Sequence, residues 1–204
     1  MKPVQIASER ENQLTRYLIV AVGATCLAVL ALCYGLLGPA LPLLADSFAV
    51  DLSRQGSLMT LYFAGFLLAT LFGGSIAEFW GKGRSLALAM AAITCGMLAV
   101  ATSQNYTWAL FGMLVFGLGG GGVEMLASAV ASDALPDRRG ATLNFLQTMF
   151  ILAALSPMLV TWFASEAEGW RLPFVALGCC ALLLTVALLK LRERMLPAPT
   201  RTDL

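Results

Sequence analysis

Six apolar stretches, 17–45, 55–78, 85–102, 107–135, 141–164 and 170–191, take up most of this 204-residue chain, with short polar links between them. About 20 apolar residues cross a bilayer as a helix, so each stretch predicts one crossing. The links at 46–54, 79–84, 103–106, 136–140 and 165–169 are short. Links of that kind make neighbouring helices antiparallel. The expected fold is an all-α membrane protein, one compact six-helix bundle over 17–191. A tail at 1–16 precedes it, and 192–204 form a second tail or the start of a central loop. Composition agrees: 59% of residues are hydrophobic and 12% charged, against about 45–50% and 25% in soluble domains.

Orientation follows from the basic residues, because cytoplasmic links keep the excess of Lys and Arg. Eleven of the 13 fall on one side: Lys2, Arg10, Arg16, Lys82, Arg84, Arg138, Arg139, Lys190, Arg192, Arg194 and Arg201. Only Arg54 and Arg171 fall on the other. Both termini are therefore expected in the cytoplasm of a multi-pass protein of the plasma membrane. The first apolar run exceeds the 7–15 residues of a signal-peptide core, so it reads as a retained helix.

Several classes drop out. Charge is near balance, with no basic patch interleaved with aromatics, which excludes nucleic acid as a partner. No histidine is present, which removes the commonest metal ligand and general base. The five cysteines lie in apolar segments without ligand or disulfide spacing and read as small hydrophobes. No metal or cofactor is expected. A six-helix intramembrane serine protease would need an activated nucleophile, and neither histidine nor a Gly-x-Ser-Gly loop is available. The chain is not expected to be an enzyme.

One carboxylate stands out. Between residues 107 and 135 the ionisable side chains are Glu124 and, near the end, Asp133. A charge at mid-membrane costs roughly 2.5–3.5 kcal/mol on insertion scales and is kept where it pairs, titrates or meets a substrate. Gly117, Gly119, Gly120, Gly121 and Gly122 lead up to Glu124 and predict close helix contact, since glycine leaves room for a neighbouring backbone. Ser128, four residues on, shares its face. Stretches one and four are matching members of two three-helix groups of opposite orientation. Both read as interrupted, the first by Gly35, Gly38, Pro39 and Pro42, the fourth by its glycines. Paired Gly/Pro-interrupted helices in inverted repeats point to a transporter's binding site.

The second link reads Gly74-Ser75-Ile76-Ala77-Glu78-Phe79-Trp80-Gly81-Lys82-Gly83-Arg84. It resembles the signature between helices two and three of the major facilitator superfamily, with Glu78 for the usual Asp and Phe79 where a basic residue is common. Gly38 to Phe48, Leu135 to Gly140, Ser156-Pro157 and Gly169 to Phe174 resemble the family at the ends of helices one and four, within helix five and at the entry to helix six. The resemblance implies half of a twelve-helix fold, with two inverted three-helix repeats, and a second six-helix half as partner. That half would be the same chain continued, a separate chain or a second copy. Solute would pass between the halves by alternating access. Gly74 would let helix two approach a neighbour, Gly81 would make the turn, and Glu78, Lys82 and Arg84, with Arg138 and Arg139 of the equivalent link, would form a conformational latch.

Stretch four and Leu143 to Gln147 more nearly resemble the fucose-transporting, sugar-proton symporter branch, in which a glutamate at the place of Glu124 handles proton or sugar. The branch's acid in helix one falls on Gly38. Tyr34 and Gln147 would add a ring face and an amide to the pocket holding Glu124 and Ser128. The expected partners are the bilayer, a small polar substrate, protons and the second half. Multidrug or metabolite efflux is the alternative within the family, and a non-transporting scaffold or receptor the alternative outside it. Outward drug exchangers often carry an arginine where Met113 stands and a glycine where Ser156 stands.

Overall fold

The computed structural model describes residues 3–154 and 169–195. Among the described residues six α-helices follow one another: α1 (Pro3–Ser47), α2 (Leu52–Trp80), α3 (Lys82–Ala101), α4 (Tyr106–Ala134), α5 (Arg139–Ala154) and α6 (Arg171–Met195). A single 3-10 turn, Pro136–Arg138, joins α4 to α5. Five of the six are long and apolar enough to cross a membrane. The described part of α5 is shorter, and the rest of the fifth stretch, with Ser156 and Pro157, lies outside the described residues.

The links are tighter than the sequence suggested. Between α2 and α3 only Gly81 is non-helical, with φ of 85°, a left-handed value that glycine adopts without a Cβ clash. Asp51 and Asn105 cap α2 and α4, accepting hydrogen bonds from the Arg54 and Trp108 amides at 3.1 and 2.8 Å. Such caps satisfy amides that a helix start leaves unpaired. At the other extreme α1 begins at Pro3, well before Tyr17.

The expected interruptions do not break the helices. α1 runs through Pro39 and Pro42, and α4 runs through all its glycines. Proline removes a helical donor, yet membrane helices tolerate it because neighbours and local adjustments satisfy the freed carbonyls. In α4 the glycines are filled from outside by other helices.

The packing has an internal exchange symmetry. α4 lies against α2 and α3, α1 lies against α5 and α6, α1 meets α4, and α3 meets α6. Swapping α1–α3 for α4–α6 leaves this pattern unchanged, and α1 and α4 run in opposite directions. These are the two inverted three-helix repeats. Their shared core is built from Leu27, Leu30, Met90, Met97, Phe116 and Phe174, all buried. The outer faces of α2 and α5 stay apolar and exposed at Leu67, Leu71, Phe72, Ile151 and Leu152.

At the end away from the basic residues an aromatic and polar cluster gathers five helix ends. Phe48 packs edge-on to Tyr106 and Trp170. The Tyr106 hydroxyl donates to the Arg54 carbonyl. Arg171 donates to the carbonyls of Ala101 and Ser103 at 2.7 and 2.9 Å, while its guanidinium lies 4.6 Å from the Trp170 ring centre.

Candidate functional site

The site is built on α4. Its glycines divide among three neighbours according to their angle around the helix. A Cβ on Gly117 or Gly121 would overlap backbone of α2 at Tyr62 and Phe66. On Gly119 it would lie 2.7 Å from the Ala89 carbonyl oxygen of α3, and on Gly122 2.9 Å from the Ala89 Cβ. On Gly120 it would meet the Tyr62 hydroxyl at 3.1 Å and Leu30 of α1 at 3.2 Å. The run therefore lets three helices close on α4 at one level, as small residues do at membrane helix contacts.

This approach carries Tyr62 into the bundle. Its ring is 2% exposed, 4.9 Å from the Phe116 centroid and 5.7 Å from that of Tyr34. Tyr62 also lies within electrostatic reach of Tyr34 and Glu124. Glu124 sits one helical turn beyond Gly120, half-buried, and makes no hydrogen bond or ion pair among the described residues. Ser128, a further turn on, is half-buried, and its carbonyl accepts a 2.8 Å bond from the Ser132 hydroxyl. Two tyrosines from α1 and α2 thus meet beside Gly120, and the carboxylate of α4 lies one helical turn beyond. They supply ring faces, hydroxyls and a titratable acceptor.

Gln147 stands apart. It is exposed on α5, and no hydrogen bond among the described residues joins it to Tyr34, Glu124 or Ser128. Tyr62 was missing from the sequence reading, although it is a lone hydroxyl-bearing ring in the middle of an apolar stretch. Three surface grooves lie at the Lys/Arg-rich end, bordered by α1 with the α4–α5 turn, by α1 with α5, and by α3 with α6. Glu124 lines none of them.

The latch residues separate in a similar way. Lys82, the first residue of α3, pairs with Asp133 near the end of α4, and Arg139 of α5 lies 3.6 Å from the same carboxylate. Asp133 is the acid at this joint. Glu78 is exposed and makes no ion pair among the described residues, and the same holds for Arg84 and Arg138. A Cβ on Gly74 would meet nothing within 4 Å, so the close approaches of α2 are made instead at Gly65 and Gly73. The physical reason is direction: Gly74 is on the exposed side of α2 and Gly73 on the side turned to Met125. Among the described residues no group of three His, Cys, Asp or Glu could hold a metal.

Residues 23–203 match the sequence profile of the Major Facilitator Superfamily. The chain belongs to that superfamily. It is a multi-pass integral membrane protein of a transporter family, not of an enzyme family. The niacin transporter NiaP of Acinetobacter baylyi is 27% identical over 164 residues, covering 80% of this chain and 37% of the relative. The MFS transporter L2 of a Phoma species is 31% identical over 82% of this chain and 30% of its own length. The glucose transporter GlcP of Staphylococcus epidermidis is 25% identical over 76% and 35%. The chain thus spans about a third of the length of these major facilitator relatives.

Proposed function

We propose that this chain is one six-helix half of a secondary transporter that moves a small polar solute by alternating access. The specific reading is a sugar carried with protons. Glu124 takes up the proton or a polar group of the solute, Tyr62 and Tyr34 offer ring faces and hydroxyls, and Ser128 adds a hydrogen bond. The observation that carries the reading is the half-buried Glu124 carboxylate, without a hydrogen bond or ion pair among the described residues, one helical turn from the glycine that meets Tyr62. A charge so placed is costly unless it serves binding or transfer.

A second six-helix half closes the site around Glu124. The basic end faces the cytoplasm, where positive links are retained. There Lys82, Asp133 and Arg139 hold the ends of α3, α4 and α5, and the signature residues Gly74, Glu78 and Arg138 stay exposed for contact with the other half. Gln147 belongs to the solute path only once that half is in place. A glucose transporter among the relatives supports the sugar reading. Met113, fully buried in apolar packing where outward drug exchangers carry arginine, weighs against efflux.

The test is uptake of labelled glucose, with niacin as comparison, by proteoliposomes holding this chain together with its second half. Glu124→Gln is expected to insert normally and to lose solute uptake driven by a pH gradient. Undiminished gradient-driven uptake removes Glu124 from the mechanism.

A further inference from the structure

We propose that the groove between α3 and α6 at the Lys/Arg-rich end binds an anionic glycerophospholipid, with the phosphate on Arg84 and an acyl chain along the groove. The groove encloses about 380 Å³. One wall is the α3 stripe Arg84, Ala87, Leu88 and Ala91, spaced to share a helix face over about 10 Å. The other wall is Thr185 and Leu189, one turn apart on α6. The alanines form the hollow. The Thr185 hydroxyl is spent on the Ala181 carbonyl at 2.8 Å, so the floor presents no free donor to an acyl chain. Trp80 closes the basic end, an aromatic at the level where indole rings favour the headgroup region.

The charge at that end is open. Arg84 is exposed and has no ion pair among the described residues, and Asp133 pairs with Lys82 and Arg139 instead. Among the described residues no carboxylate lines the groove. Of the two grooves along α1, the one at the α4–α5 turn sets Asp137 beside Arg16 and Arg138, and the one against α5 has Arg138 at its edge but, among the described residues, no tryptophan at the headgroup level. A guanidinium with no ion pair among the described residues, above an apolar channel, complements a molecule with an anionic head and a hydrocarbon tail, and a bilayer supplies such molecules. Basic pockets between membrane helices recognise acidic headgroups in this way. The proposal is independent of the solute and of Glu124.

The test uses the purified chain in nanodiscs of equal phosphatidylglycerol and phosphatidylcholine with identical acyl chains, and counts the lipid retained by native mass spectrometry. Phosphatidylglycerol is expected to be retained about fivefold over phosphatidylcholine, the weight of one arginine near an anionic surface. Arg84→Gln should bring the two to parity, while Arg84→Lys, as the control for folding, should keep most of the preference. Ala91→Leu, which fills the hollow and spares the arginine, should lower retention of both lipids. Glycerol phosphate, the head without the chains, should fail to displace the lipid. Parity in the unaltered protein, retention of neither lipid, a preference that survives Arg84→Gln, or displacement by glycerol phosphate overturns the proposal.

Discussion

α1 and α4 hold equivalent places in the two repeats, yet they meet their neighbours by different means. α4 presents glycine to α2 and α3, so backbone touches backbone on two sides. α1 presents Leu27, Leu30, Leu36 and Leu37, all buried, and its Gly38 faces open space. One joint has no room for a methyl group, whereas the other is filled mostly by side chains that can change rotamer. The difference teaches that α4 is fitted to α2 and α3 by backbone contact, while α1 is fitted mainly by side chains, with its close approach at Gly23, where a Cβ would lie 3.2 Å from the Ala127 carbonyl oxygen of α4. The candidate carboxylate belongs to the backbone-packed helix, and Tyr34 of α1 packs against Tyr62 of α2 with ring centroids 5.7 Å apart.

Substitutions can break this contrast. The largest effect is expected at Gly117→Leu, which drives a side chain into the Tyr62 backbone. Overpacking costs typically about 1–3 kcal/mol and more where backbone must move, so folded protein should be lost from size-exclusion profiles. Leu27→Ala tests the opposite joint: truncating a buried leucine costs about 2–5 kcal/mol, expected as a lower unfolding temperature in detergent with the fold retained. Asp133→Asn frees Lys82 and Arg139 at an exposed joint, where ion pairs contribute about 0.2–1 kcal/mol. Its stability change should be correspondingly small and should shrink further in high salt. Gly38→Ala should change thermal stability by no more than about 0.5 kcal/mol, the scale of substitutions that disturb no packing. A loss there comparable to Gly117→Leu would show that α1 is as tightly jointed as α4.

Much of this was legible in the sequence. Apolar runs and short links gave the six-helix order, and the Gly81 turn followed from a glycine in a link too short for anything else. Glu124 was visible because a charge in an apolar stretch is rare. Other features depend on the angle at which two apolar helices meet. In α2 nearly every face is apolar, so no periodicity says that Tyr62 turns inward or that Gly73 packs while Gly74 does not. The Lys82–Asp133 pair joins residues brought together only by the antiparallel arrangement of α3 and α4. Pro39, Pro42 and the glycines read as breaks because that is their effect on a helix in water. Within a bundle, close neighbours fill what the glycines leave open.

The measurement closest to the central claim is solute-driven proton movement in a lightly buffered suspension of the assembled transporter, compared with Glu124→Gln. The account expects solute addition to shift the pH of the medium for the unaltered protein and to leave it unmoved for the variant, with both equally folded. An equal shift in the two would place the proton elsewhere and contradict the assignment of Glu124.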